Sequence, residues 1–104
     1  MHYRPCDLTR EQLDQTNELI LLEFGIDACP HCQRGIQAMR GVSEFSTLKH
    51  IAIEDGPGRR LGRTFRVKLW PTYILLKEGC ELARIVRPQS SADFASLTQL
   101  LDQA

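Results

Sequence analysis

The sequence lacks any long apolar stretch. No segment approaches the roughly 20 apolar residues that a membrane-spanning helix needs. The stretch from Met1 to Thr9 also lacks the apolar core of a secretory signal peptide. We therefore expect no membrane association and a cytoplasmic location, although a mature periplasmic form would have the same features.

The chain also lacks an excess of charge of either sign, because its 13 Lys and Arg residues balance its 13 Asp and Glu residues. Nucleic-acid-binding domains carry a basic surface, so a nucleic-acid partner is not expected. The length of 104 residues and the 42% hydrophobic content predict a single domain over residues 1–104, with an irregular N-terminus at 1–8. We expect this domain to be a monomer.

A second metal-binding pair is missing as well. Cys29 and Cys32 form the one Cys-x-x-Cys unit, whereas a structural zinc ion requires four ligands. The remaining candidate ligands have no ligand-like spacing: Cys6, Cys80, His2 and His50. The sequence therefore favours redox chemistry at Cys29 and Cys32, with no metal and no organic cofactor, over the alternatives of a zinc ion or an iron–sulfur cluster.

Hydrophobic periodicity predicts the element order α-β-α-β-α-β-β-α, which is typical of an α/β protein with a mixed sheet flanked by helices. Thr9 and Gln12 resemble a capping box, and a helical stripe after Pro30 runs through Val42 to Phe45. The predicted helices are 10–16, a helix from residue 30, 59–65 and a last helix after a cap at Ser90 or Ser91. The predicted strands are 19–24, 48–53, 72–76 and 82–86.

The segment Cys29-Pro30-His31-Cys32 has the chemistry of a redox centre. Proline suits the first position of a helix, so Pro30 predicts that Cys29 lies at a helix N-terminus, where free N–H groups favour a thiolate. Cys32 lies one turn further on the same face, close enough for a disulfide. We expect Cys29 to be the nucleophile and Cys32 the resolving thiol, while a protonated His31 would stabilise the thiolate and tune the potential.

Four features together resemble the thioredoxin superfamily across about residues 19–102. They are the strand 19–24, the Cys-Pro-His-Cys segment at a helix start, Trp70-Pro71-Thr72 before a strand, and the turn Lys77-Glu78-Gly79. The resemblance implies a thioredoxin-like fold with a four-stranded mixed sheet. It also implies a thiol–disulfide oxidoreductase that acts on protein disulfides or dithiols together with a partner reductase or oxidase.

The resemblance further implies roles for residues outside the motif. Pro71 would follow a cis peptide bond and face the disulfide, so that Trp70, Pro71 and Thr72 bind an extended substrate segment. Glu23 would be a buried acid that shuttles a proton for Cys32, with a pKa raised by burial. The alternatives are a simple strand-start proline at Pro71 and a solvent-facing carboxylate at Glu23.

Other features depart from the thioredoxin pattern. Ala28 precedes the first cysteine, and the Cys-Pro-His-Cys segment resembles the disulfide-oxidase branch, whose helical insertion this chain is too short to contain. Residues 1–8 offer no clear first strand, and no cationic partner for Glu23 is evident. Reductase and oxidase directions therefore both stay open, and a non-catalytic adaptor or chaperone that binds a partner at the Trp70–Pro71 groove is the alternative function.

Overall fold

The helices and strands follow one another in the predicted order in the computed structural model, which describes residues 1–103. The helices are α1 Arg10–Asp14, α2 Pro30–Arg40, α3 Arg60–Thr64 and α4 Ala95–Gln103. The strands are β1 Leu19–Gly25, β2 Lys49–Glu54, β3 Thr72–Lys77 and β4 Cys80–Val86. Short 3-10 helices at Ser43–Thr47 and Ser91–Phe94 lead into β2 and α4.

The four strands form one mixed sheet in the order β2-β1-β3-β4, which confirms the predicted α/β class. β1 pairs in parallel with β2 and antiparallel with β3, and β3 pairs antiparallel with β4. The nearly continuous apolar run of β1 suits its central position, because a central strand is covered on both faces.

Each face of the sheet carries its own hydrophobic core. Alternate residues of a strand point to opposite faces, so Leu22 and Phe24 pack under α1 and α3, while Leu21 packs under α2 and α4. A third, smaller cluster contains Tyr3, Cys32 and Ile36, with Cys29, Ala52 and Trp70 packed against it. This last cluster marks the end of the sheet where the redox segment lies.

Helix α2 begins at Pro30, as predicted, but it ends sooner than the hydrophobic stripe suggested. Gly41 caps the helix, and the chain restarts as the 3-10 helix 43–47. Val42 and Phe45 are still buried in the core under α2 and α4. The stripe therefore predicted the buried residues correctly but placed two consecutive elements in one helix.

The N-terminal residues contact the sheet edge despite their irregular sequence. Arg4 forms a parallel bridge with Ile53: its N–H donates to the Ala52 carbonyl at 3.3 Å, and its carbonyl accepts from Glu54 N–H at 2.8 Å. The segment around Arg4 is thus a short counterpart of the first thioredoxin strand and lies beside β2. The sequence of residues 1–8 had shown no clear strand. Among residues 1–103, no helix is long and apolar enough to cross a membrane.

Candidate active site

The first cysteine of the motif occupies the position that the sequence predicted. Cys29 is the N-cap of α2 and is half-buried, with Pro30 as the first helical residue. Cys32 lies within the first turn of α2 and is fully buried. Both are free thiols. His31 lies between them and is exposed.

The two thiols differ sharply in acidity. Burial raises the pKa of Cys29, but the N–H groups of Cys32 and His31, the Cys32 thiol and the charge of Arg87 outweigh it, so the pKa lies below its ordinary value. Burial raises the pKa of Cys32 to about 11. The pair therefore consists of one thiol that ionises readily and a neighbour that holds its proton.

Arg87 is a part of the site that sequence reasoning missed. Its backbone has a φ of 52°, in the left-handed region, and its N–H donates to the Pro71 carbonyl at 2.9 Å. Its side-chain Nε donates to the Trp70 carbonyl at 2.8 Å. Arg87 thus fastens the Trp70–Pro71 segment and adds a positive charge near Cys29, although nothing local in its sequence distinguishes it from other arginines.

We expect Arg87→Gln to raise the pKa of Cys29, because the substitution removes a positive charge that favours the thiolate. The pH dependence of Cys29 alkylation measures this pKa. Arg66→Gln is the matched control, because Arg66 is also an arginine with a positive φ, of 58°, whereas Arg87 is the charge that lowers the pKa of Cys29. An unchanged profile in Arg87→Gln, or an equal shift in Arg66→Gln, would contradict the assignment.

The Trp70–Pro71 peptide bond is cis, as the resemblance implied. Pro71 and Thr72 are buried, and the Thr72 hydroxyl donates to the Leu69 carbonyl at 2.7 Å. The half-buried Trp70 packs on the cluster that contains both cysteines, and its indole Nε1 donates to Asp55 at 2.7 Å. Leu69 is 49% exposed. Trp70, packed on the cysteine cluster, and its exposed neighbour in sequence Leu69 therefore offer apolar surface on this segment, whereas the side chain of Thr72 faces inward.

Glu23 is fully buried, which confirms the predicted burial, but the expected raised pKa is wrong. Burial alone would raise the pKa, yet hydrogen bonds from two histidines and a tyrosine outweigh it and lower the pKa to about 2. An ionised carboxylate only accepts hydrogen bonds, so each histidine nitrogen that faces it carries a hydrogen. Oε1 accepts from His2 Nε2 and from His50 Nε2, each at 2.8 Å.

The second carboxylate oxygen of Glu23 faces two tyrosines. Oε2 accepts from the Tyr3 hydroxyl at 2.5 Å and from the Tyr73 hydroxyl at 3.0 Å. The sequence showed no partner for Glu23 because its partners are far away along the chain and meet it only through strand pairing and through the position of the N-terminal segment. The register pairs Glu23 with Ala52, and His50 lies two residues earlier on the same face of β2.

Tyr3 connects the buried carboxylate with the redox pair. It is fully buried, and its hydroxyl lies beside the Cys32 thiol as well as on Glu23. Gly25 leaves the space for this contact, because a Cβ there would lie 2.7 Å from Cys32 Sγ and 2.8 Å from the Tyr3 hydroxyl. The only sequence signal for Tyr3 was an aromatic residue within a polar stretch.

Comparisons with known proteins agree with this geometry. No family model matches the chain. The structure of reduced thioredoxin 2 from Pseudomonas aeruginosa is 40% identical, with a TM-score of 0.84, and the match covers 100% of this chain and 98% of that one. The thioredoxin of Trypanosoma brucei brucei shares the fold at 18% identity and a TM-score of 0.73, with 98% and 95% covered.

Among curated proteins, thioredoxin H2 of Arabidopsis thaliana is 22% identical over 76 residues, which is 72% of this chain. The match spans 57% of the length of that relative. The bacterial thioredoxin, in contrast, matches over nearly the whole length of both chains. On that similarity, the chain belongs to the thioredoxin superfamily.

Proposed function

We propose that this protein is a thiol–disulfide oxidoreductase that exchanges disulfides with protein substrates through Cys29 and Cys32 and so contributes to cell redox homeostasis. The observation that carries the proposal is the contrast between the two thiols. The pKa of Cys29 is lowered at the N-terminus of α2, whereas burial raises the pKa of Cys32 to about 11. A nucleophile that is available as thiolate, next to a protected second thiol, is what stepwise exchange requires.

In the reducing direction, the Cys29 thiolate attacks one sulfur of a substrate disulfide. The other substrate sulfur leaves as a thiolate and takes up a proton, and a mixed disulfide joins Cys29 to the substrate. Cys32 then loses its proton and attacks Cys29 Sγ, which releases the second substrate thiolate. The substrate gains two electrons and two protons, Cys29–Cys32 becomes a disulfide, and a partner reductase restores the dithiol. An oxidase runs the same steps in reverse and is reset by a partner oxidase.

The surrounding residues support each step. Pro30 sets the helix start, and His31 tunes the potential from its exposed position between the thiols. The surface of Trp70 and Leu69 receives an apolar part of the substrate, while the Trp70-Pro71-Thr72 backbone guides an extended segment past Cys29.

The buried network does not take up the proton of Cys32. The Tyr3 hydroxyl donates to Glu23 and lies beside the Cys32 thiol. A carboxylate with a pKa of about 2 is too weak a base for a thiol with a pKa of about 11, so the proton shuttle predicted for Glu23 does not fit. The thiol proton passes instead to the departing substrate thiolate, and Glu23 acts through Tyr3 by holding its hydroxyl beside Cys32.

The reduction potential of the Cys29–Cys32 couple tests the proposal. The protein, with Cys6 and Cys80 replaced by Ser, is equilibrated in glutathione buffers of graded poise, and its free thiols are counted by alkylation and mass spectrometry. We expect a single two-electron transition that disappears in the additional Cys29→Ser variant. A reduction potential of about −270 mV would indicate a reductase, and a reduction potential of about −120 mV would indicate an oxidase. Failure to form a Cys29–Cys32 disulfide at any poise would contradict the proposal.

A further inference from the structure

A second group of reactive side chains lies apart from the cysteines. His2, Glu23 and His50 each offer one ligand atom, and these atoms all lie within 4.8 Å of one another. The three residues come from the N-terminal segment, from β1 and from β2. The carboxylate is fully buried, whereas the side chains of His2 and His50 are 26% and 25% exposed. The buried carboxylate therefore forms the inner wall of the group, and solvent reaches the group past the two histidine side chains.

Neighbouring residues orient these ligand atoms. The hydroxyls of Tyr3 and Tyr73 both donate to Glu23 Oε2, so Oε1 is the oxygen that faces the two imidazoles. The backbone N–H groups of His2 and Tyr3 both donate to Asp27 Oδ1, at 3.1 and 3.0 Å, which fixes the N-terminal segment. Outer contacts of this kind hold metal ligands in place and are a regular part of metal sites.

We propose that His2, Glu23 and His50 form a binding site for Zn²⁺. Two imidazole nitrogens and one carboxylate oxygen are a ligand set that zinc accepts, with the fourth position left to water. Each Nε2 lies 2.8 Å from the shared oxygen Oε1. A tetrahedral zinc with bonds of about 2.0–2.1 Å separates its ligand atoms by about 3.3 Å, so each imidazole withdraws by about half an ångström. The ion then takes the place of the two Nε2 hydrogens that face Oε1, and each neutral imidazole carries its hydrogen on Nδ1 instead.

The chemistry of the site also predicts which cations it rejects. Mg²⁺ and Ca²⁺ prefer six or more oxygen ligands, whereas the site offers two nitrogens and one oxygen. Zinc binding uses neither Cys29 nor Cys32 as a ligand, although it shares Glu23 with the network beside Cys32. The two proposals fail separately: a chain that binds no zinc can still exchange disulfides, and a chain without redox activity still holds the three ligands.

Isothermal titration with ZnCl₂ tests the site on the tag-free full chain with all four cysteines replaced by Ala, because thiols bind zinc themselves. We expect one Zn²⁺ per chain and no competition from MgCl₂. His2→Gln and His50→Gln should each weaken zinc binding at least tenfold. Loss of a residue that only supports a ligand lowers metal affinity about 10–100-fold, and loss of the ligand itself should lower it at least as much. His31→Gln is the matched control, because His31 is the remaining histidine of the chain, and we expect no change.

Histidine side-chain NMR of the chain with its natural cysteines, after alkylation of the accessible thiols, provides a second measurement that does not depend on the cysteine variants. On addition of ZnCl₂, the resonances of His2 and His50 should shift together at one equivalent, while those of His31 stay in place. Zinc affinity that is equal in the alkylated chain with and without the double substitution His2→Gln/His50→Gln would overturn the site. A shift of His31 alone would overturn it as well.

Discussion

A Cys32→Ser variant should accumulate as a covalent complex with its substrate, whereas Cys29→Ser should form no complex. Cys29 is the thiol with the lowered pKa, so it can still attack a disulfide when Cys32 is absent. Without Cys32 the mixed disulfide has no resolving thiol and persists. Turnover should fall at least about a thousandfold in both variants, in the range lost when an enzyme nucleophile is removed. Both variants are made with Cys6 and Cys80 also replaced by Ser, because those free thiols would react as well. Mass spectrometry of the reaction with an aromatic disulfide reagent would detect the adduct, and a protein substrate would show turnover.

Cys80→Ser provides the control for this experiment, because Cys80 is exposed at the start of β4, in the hairpin at the edge of the sheet. It should neither trap substrate nor lose turnover. Normal turnover by Cys32→Ser would show that another thiol, such as glutathione, resolves the complex. An adduct on Cys32 in the Cys29→Ser variant would reverse the assigned roles.

Glu23→Ala should destabilise the fold by about 3–5 kcal/mol, the range seen when one partner of a buried charge network is removed. The substitution leaves the hydroxyls of Tyr3 and Tyr73 and both imidazoles without their acceptor. Glu18→Ala is the matched control: the Glu18 side chain is 61% exposed, and its carboxylate lies 3.9 Å from Lys49. That control should change the free energy of unfolding by less than about 0.5 kcal/mol in urea denaturation.

The same carboxylate should make stability depend on pH in acid. Its pKa is about 2 in the folded protein and 4.5 in the unfolded chain, so the unfolded state binds the proton more tightly. The stabilisation is complete above pH 4.5, declines as the pH falls, and is gone below pH 2. The difference corresponds to about 3 kcal/mol. Glu23→Gln, which keeps the shape of the side chain, should remove this dependence, and an unchanged acid profile in that variant would contradict the role of Glu23.

Local sequence patterns predicted the elements and the redox pair because their causes are local. A proline at the first helical position, a cysteine at the N-cap and a second cysteine one turn later all depend on neighbouring residues. The resemblance to thioredoxins added the cis bond before Pro71, which no local pattern requires. The resemblance likewise implied the burial of Glu23, for which the sequence alone left a solvent-facing carboxylate as the alternative.

The surroundings of Glu23 could not be predicted in the same way. Its pKa depends on partners at positions 2, 3, 50 and 73, which strand register and the N-terminal segment bring together. Burial alone predicted a raised pKa, and the hydrogen bonds reversed the sign. The role of Arg87 could not be predicted for the same reason, since Arg87 contacts the site through the backbone carbonyls of Trp70 and Pro71.

The central position of β1 constrains the order in which the chain can become native during synthesis. β1 leaves the ribosome before both of its neighbours, and its antiparallel partner β3 ends only at Lys77. Glu23 acquires its last hydrogen-bond donor, Tyr73, at nearly the same moment. Until about three quarters of the chain has emerged, the nascent polypeptide therefore carries an apolar strand with at least one unpaired edge and a carboxylate in its middle. That charge keeps the strand hydrated and hinders its pairing with other chains until its own partners arrive.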